Sequence, residues 1–152
     1  MTERLTLEEF TEKYGVPKLG AKKKPNRAAA QQRKLALLVL IKRLERERGL
    51  PPDGIVQEYH FAKDRERNYR MDLAIPDKKI ALEIHGGAFV KRVTGGTGGA
   101  HHTIEGRARD MAKGNLAAVM GWIVIEVSPN EVADGTAYHW LAEALDLRDS
   151  AI

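Results

Sequence analysis

The segment from Ile55 to Ile84 constrains the fold most. It reads as three short runs, Ile55 to Phe61, Tyr69 to Ile75 and Lys79 to Ile84, rich in the β-branched and aromatic residues that suit a pleated surface. Pro76-Asp77-Lys78 leaves room only for a tight turn between the last two, so the runs predict an antiparallel meander. A sheet has apolar faces that other elements must cover, and the rest of the chain offers helices. From Asn26, an N-cap residue, to Arg48, the positions Leu37, Leu40, Ile41 and Leu44 recur at helical spacing. Arg33, Lys34, Lys42, Arg43 and Arg46 fill much of the remainder, which predicts an amphipathic helix with a basic outer face, stopped by Gly49-Leu50-Pro51-Pro52. A second helix is expected from Thr103 to Met120, then a buried strand from Trp122 to Val127. Ser128-Pro129-Asn130-Glu131 has capping-box spacing, and Ala137, Trp140, Leu141, Ala144 and Leu145 mark one closing amphipathic helix. The order helix, three strands, helix, strand, helix predicts an α/β fold.

With 152 residues and 43% hydrophobic content the chain suits one domain of ordinary size with a real core. The absence of cysteine removes disulfide frameworks, thiolate nucleophiles and cysteine-type zinc sites. No apolar run approaches the roughly 20 residues of a membrane span, and Met1-Thr2-Glu3-Arg4 lacks the apolar core of a signal peptide. A soluble, cytoplasmic protein without membrane contacts is the expectation. The net charge of +4 leans toward polyanions. Residues 1–26 read as an N-terminal helix, Thr6 to Tyr14, followed by a basic linker containing Lys22, Lys23 and Lys24. The domain proper is expected over residues 27–152, and Thr94-Gly95-Gly96-Thr97-Gly98-Gly99 is a loop.

Glu83 interrupts the apolar alternation of Ile80, Leu82 and Ile84. A carboxylate in such a strand loses hydration, at a cost of several kcal/mol unless a cation or hydrogen-bond donors compensate. Asp72, on the neighbouring run, is close enough across a short hairpin to join it. Hard divalent ions use one or two carboxylates with carbonyls, waters and phosphate oxygens, so Asp72, Glu83 and the carbonyl of Ile84 make a sufficient set for Mg²⁺ or Mn²⁺, with Glu58 in reach directly or through water. Ordinary salt bridges from Asp72 and Glu83 to Arg67, Arg70 or Lys79, and a solvent-facing position for Glu58, are the competing explanations.

Histidine has an unperturbed pKa of about 6.5, suited to proton transfer near neutral pH, which singles out His85 at the end of the third run. His101 and His102 follow the glycine loop, and one of them is expected to face the same site. On the second helix Asp110 and Lys113 share a face and Asn115 lies on a neighbouring one. Lys113 is read either as a positive charge beside a phosphate or as a simple partner of Asp110. Lys22, Lys23, Lys24, Arg33, Lys34, Lys42, Arg43, Arg70 and Asn115 are candidate contacts to a phosphate backbone, with a solvated charged face as the alternative.

Asp72, ten intervening residues, then Glu83-Ile84-His85 resembles the bipartite signature of the PD-(D/E)XK nuclease superfamily. The chain is more closely similar to small phage and bacterial endonucleases of the very-short-patch-repair type. The matching pieces are Glu58-Tyr59, Arg70-Met71-Asp72, Glu83-Ile84-His85-Gly86-Gly87, His101-His102, Asp110, Lys113, Asn115 and Gly121-Trp122. The resemblance covers about half the chain. It implies a restriction-endonuclease-like core, with Asp72, Glu83, His85, His101, His102 and Lys113 as catalytic residues and Mg²⁺ or Mn²⁺ as cofactor. The implied activity is cleavage of DNA in a bacterial or phage-infected cell, in repair or recombination, as a homodimer if the substrate is a four-way junction. His85 stands where the superfamily pattern has lysine, and a non-catalytic DNA-binding protein with a decayed site is the rival reading.

Overall fold

The computed structural model describes residues 27–86 and 104–151, and the chain divides into two units at Gln32–Arg33. The sequence readings for Thr6 to Tyr14, Lys22 to Lys24, the glycine loop, His101 and His102 lie outside the described residues. Helix α1 (Arg27–Arg48) is followed by strands β1 (Val56–His60), β2 (Arg70–Ile75) and β3 (Ile80–Ile84). Then come helix α2 (Ile104–Val119), strand β4 (Ile123–Val127), and helices α3 (Pro129–Ala133) and α4 (Thr136–Ser150). The fold is α/β, built on a mixed four-stranded sheet in the order β1-β2-β3-β4. β1, β2 and β3 form the expected antiparallel meander, and β4 runs parallel to β3.

One face of the sheet presents Leu73, Ile75, Ile80 and Leu82 to Leu40, Ile41 and Leu44 of α1 and to Leu141 and Leu145 of α4. Each such side chain contributes roughly 1.5–3 kcal/mol on full burial, so this layer dominates the stability. The other face is thinner. Ala81 and Met71 meet Ala117 of α2, with Tyr59, Phe61, Tyr69 and Trp122 packed beside them. Ala74 and Ala81 are register partners on this face. Their small side chains leave room for Trp122 to approach within 5.7 Å of the Tyr59 ring and 6.0 Å of Phe61, centroid to centroid.

Four expectations are corrected. The closing helix is two helices: the capping box at Ser128 and Glu131 starts α3 as expected, but the helix stops at Asp134-Gly135, where Gly135 has φ +92°. Asp134 then accepts a hydrogen bond from Thr136 N at 2.9 Å and starts α4 afresh. Ala137, Leu141, Ala144 and Leu145 keep the expected buried stripe of α4, but Tyr138 is buried beside them and Trp140 is 51% exposed. The outer face of α1 is not simply basic, because Leu35, Leu38 and Val39 are exposed on it. Finally, β4 stands at the edge of the sheet and is only half-buried over Ile123 to Ile125, because among the described residues no strand covers its far side.

Candidate active site

Side chains alternate along a strand. Ala81 of β3 and Val124 of β4 lie against α2, so Glu83 and Glu126, two residues further along and paired in register, project to the same face. On α2 the inward stripe is Lys113, Leu116 and Ala117, continued by Met120 just past the helix end, the i, i+3, i+4, i+7 set. Three of these fill the aromatic layer with hydrocarbon. The fourth, Lys113, pairs its ammonium with Glu83. Both side chains are largely covered, at 23% and 15% exposure.

Burial pushes the Glu83 carboxyl above the usual glutamate range. The Lys113 contact opposes that rise, the charge of Asp72 adds to it, and His85 opposes it. Two carboxylates therefore stand close enough to repel, and Lys113 is the cation that answers one of them.

Asp72 enters the site through the backbone. His85 N donates to Val127 O at 2.8 Å and Ile123 N to Lys79 O at 2.9 Å. By ladder alternation the odd residues of β3 bond to β4, and the amide and carbonyl of Ile84 turn toward β2. The β2–β3 register ends at Leu73 and Leu82. Where a β2 carbonyl would continue the ladder, Asp72 Oδ2 accepts the Ile84 N–H at 2.7 Å instead. A carboxylate thus wedges the two strands apart, with the Ile84 carbonyl directed into the same gap.

His85 is 47% exposed, and its Nε2 lies 3.3 Å from Glu126 Oε1. Glu126 was not singled out from the sequence. Its signal is that of Glu83: a lone carboxylate in an apolar strand, Ile123-Val124-Ile125-Glu126-Val127.

The structure thus gathers Asp72, Glu83, Ile84, His85 and Lys113 at one end of the sheet. Glu58 falls opposite Asp72 in the β1–β2 register but takes a left-handed conformation, φ +53°, and pairs with Arg70 at 2.5 Å. That pair occupies a candidate metal ligand and a candidate DNA contact with each other. Asp110 does not hold Lys113; it is exposed on α2, as is Asn115. Lys42 pairs with Glu45 at 2.8 Å. Arg43 lies 3.7 Å over the Tyr138 ring and bonds to Glu47, so it faces inward. Lys34 is exposed, and Arg33 reaches the end of β3, where its guanidinium lies 3.9 Å from the Cβ position of Gly86.

Among the described residues no group of three or more histidine or acidic side chains is gathered closely enough to hold a metal ion. Two carboxylates, a carbonyl and outside oxygens remain the available donor set, all hard oxygens. No protein-family model, curated protein or solved structure matches this chain.

Proposed function

We propose that the protein is a metal-dependent DNA endonuclease with a restriction-endonuclease-like core, whose site is built on Asp72, Glu83 and Lys113. The observation that carries this reading is the pairing of Lys113 with Glu83. The resemblance to PD-(D/E)XK nucleases lacks its lysine at His85, and α2 brings a lysine to the same carboxylate from another element.

Asp72, Glu83 and the Ile84 carbonyl would hold Mg²⁺ or Mn²⁺, whose hard-oxygen preference they fit. Such an ion supplies a water of lowered pKa and offsets charge on the attacked phosphate. Lys113 places its ammonium beside the departing oxygen and the phosphate it leaves. His85, its Nε2 turned to Glu126, keeps its other ring nitrogen for proton transfer. Mismatched, nicked or branched duplexes are the candidate substrates. For paired cuts at a four-way junction a symmetric dimer is the working arrangement.

A second reading has its own support. Because Lys113 already neutralises Glu83, the ammonium itself answers the charge that a metal would answer, and a DNA-binding protein without catalysis fits that feature. Cleavage of labelled linear, mismatched, nicked, flapped and four-way DNAs with Mg²⁺, Mn²⁺ or EDTA, for wild type and Glu83→Ala, separates the two. Metal-dependent cutting lost in the variant supports the nuclease; binding without cutting by the wild type replaces it with the second reading.

A further inference from the structure

The backbone of β4 is bonded on one side only. Ile123 N donates to Lys79 O and Val127 O accepts from His85 N, so the odd residues of β4 bond to β3. By alternation Val124 and Glu126 turn their amides and carbonyls to the outer edge, where among the described residues no strand meets them. Edge strands are ordinarily blunted by proline, lysine or a bulge. Ile123-Val124-Ile125 has none of these: it is β-branched and uncharged, with no residue at positive φ, and Glu126 is the only charge in the strand.

The surface above this edge is apolar as well. α4 packs across β3 and β4. Its Tyr138 and Asp146 mark the flank turned to α1, through Arg43 over the Tyr138 ring and the pairing of Asp146 with Arg48. Two residues span about 200° around a helix, so Trp140, with Leu147 two turns further on, occupies the opposite flank. Both are exposed, at 51% and 61%. α1 lies toward β2, where Leu40, Ile41 and Leu44 cover Leu73 and Ile75. The flank of Trp140 and Leu147 therefore stands over the outer edge of β4.

A strand edge is its own complement, because an antiparallel copy offers acceptors where the first offers donors. One register uses every outward group of β4. With Ile125 opposite Ile125 of the second copy, Val124 exchanges two hydrogen bonds with Glu126 of the copy, and Glu126 two with its Val124. On the α4 face Ile125 then meets its own counterpart and Ile123 meets Val127, all apolar. On the α2 face Glu126 lies beside a valine, and the like charges are not placed opposite each other.

We propose that β4 pairs with β4 of a second copy of this chain, about a two-fold axis through Ile125, with Trp140 and Leu147 of each copy covering the join. Such a contact uses the same surface twice and closes after two copies. It gives a surface to the dimer invoked above for paired cuts, and it stands without the nuclease reading.

Analytical ultracentrifugation of the full chain, without DNA or metal, should give twice the chain mass at micromolar concentrations and above. Val124→Pro removes an outward donor that the monomer does not use, at an edge position that tolerates proline. Trp140→Glu places a charge on the covering flank. Each should weaken the dimer by about tenfold or more while circular dichroism stays at the wild-type level. The chain has no cysteine, so a single introduced one reports the register. Opposed residues of a non-hydrogen-bonded pair have Cα atoms about 4.5 Å apart, within disulfide reach. Ile125→Cys should cross-link into a covalent dimer under oxidised glutathione. Ile123→Cys, displaced from its counterpart by about 13 Å along the strands, should not. A monomer at every concentration, a dimer indifferent to both Val124→Pro and Trp140→Glu, or equal cross-linking at the two cysteine positions would overturn the proposal. Dimerisation by a protein that cuts no DNA keeps this interface, and metal-dependent cutting by a strict monomer removes it.

Discussion

Lys113 and Glu83, thirty positions apart, form an ion pair that crosses from helix to strand over the thinner face of the sheet. The lysine extends the apolar inner stripe of α2, and the glutamate is the polar exception in β3, so each accounts for the other. This geometry makes Lys113 both a structural and a chemical residue.

Replacing Lys113 with Met should therefore act twice. Loss of a cation at the phosphate is expected to slow cleavage on the order of 100-fold, read in single-turnover assays. The carboxylate left behind should cost about 1–2 kcal/mol, less than a fully buried pair because both groups retain some solvent. Glu83→Gln added to Lys113→Met should recover most of that stability and none of the activity, as melting curves and cleavage rates would report.

Asp72 separates in the opposite way. Asp72→Asn keeps an oxygen for the Ile84 N–H bonded at 2.7 Å, so its stability should stay near wild type while metal-dependent cleavage falls to background. Asp72→Ala removes the acceptor as well and should lose about 1–2 kcal/mol in urea unfolding. Equal stability of the two variants would mean that the strand junction closes without the carboxylate.

A pH effect is expected away from the site. The Tyr138 hydroxyl, Arg46 and Arg43 hold the Glu47 carboxyl down, from 4.5 to about 2. A depressed acid stabilises the fold above its unfolded pKa, and that contribution drains away as pH falls through the folded value. Wild type should lose stability between about pH 4.5 and 2, and Glu47→Gln should flatten that limb in pH-dependent melting.

Gly135 is the residue whose backbone separates α3 from α4. Its φ of +92° disfavours any side chain, although an added Cβ would meet only the Arg43 guanidinium at 3.5 Å. Gly135→Ala should cost about 1 kcal/mol, and denaturant midpoints would show it.

Much of this was legible in the residues. The meander followed from alternation and from Pro76-Asp77-Lys78, and Glu83 stood out because an ionisable group in an apolar strand needs a reason. Asp134-Gly135 is ambiguous in the residues alone, because a glycine inside a helical pattern can be tolerated, and nothing in the spacing marks Trp140 as the exposed member of its stripe. Glu126 carried the same signal as Glu83, but its strand lies at the sheet edge, and only the parallel register with β3 brings it to His85. Nor does sequence spacing disclose which arginines find partners, since Arg48 and Asp146 meet through the tertiary fold.

The left-handed turn of the backbone at Glu58 has a bearing on how the molecule behaves among its own copies. Among the described strands β1 lies at an edge of the sheet, and an open, straight edge invites another strand to add to it and start a polymer. At Glu58 the φ of +53° interrupts the regular rise of the strand, and a charged pair with Arg70 sits at the interruption. An incoming strand would find neither a continuous row of donors and acceptors nor an uncharged surface to lie on. The kink thus guards the sheet against fibrous association at concentrations where a flat edge would be a hazard.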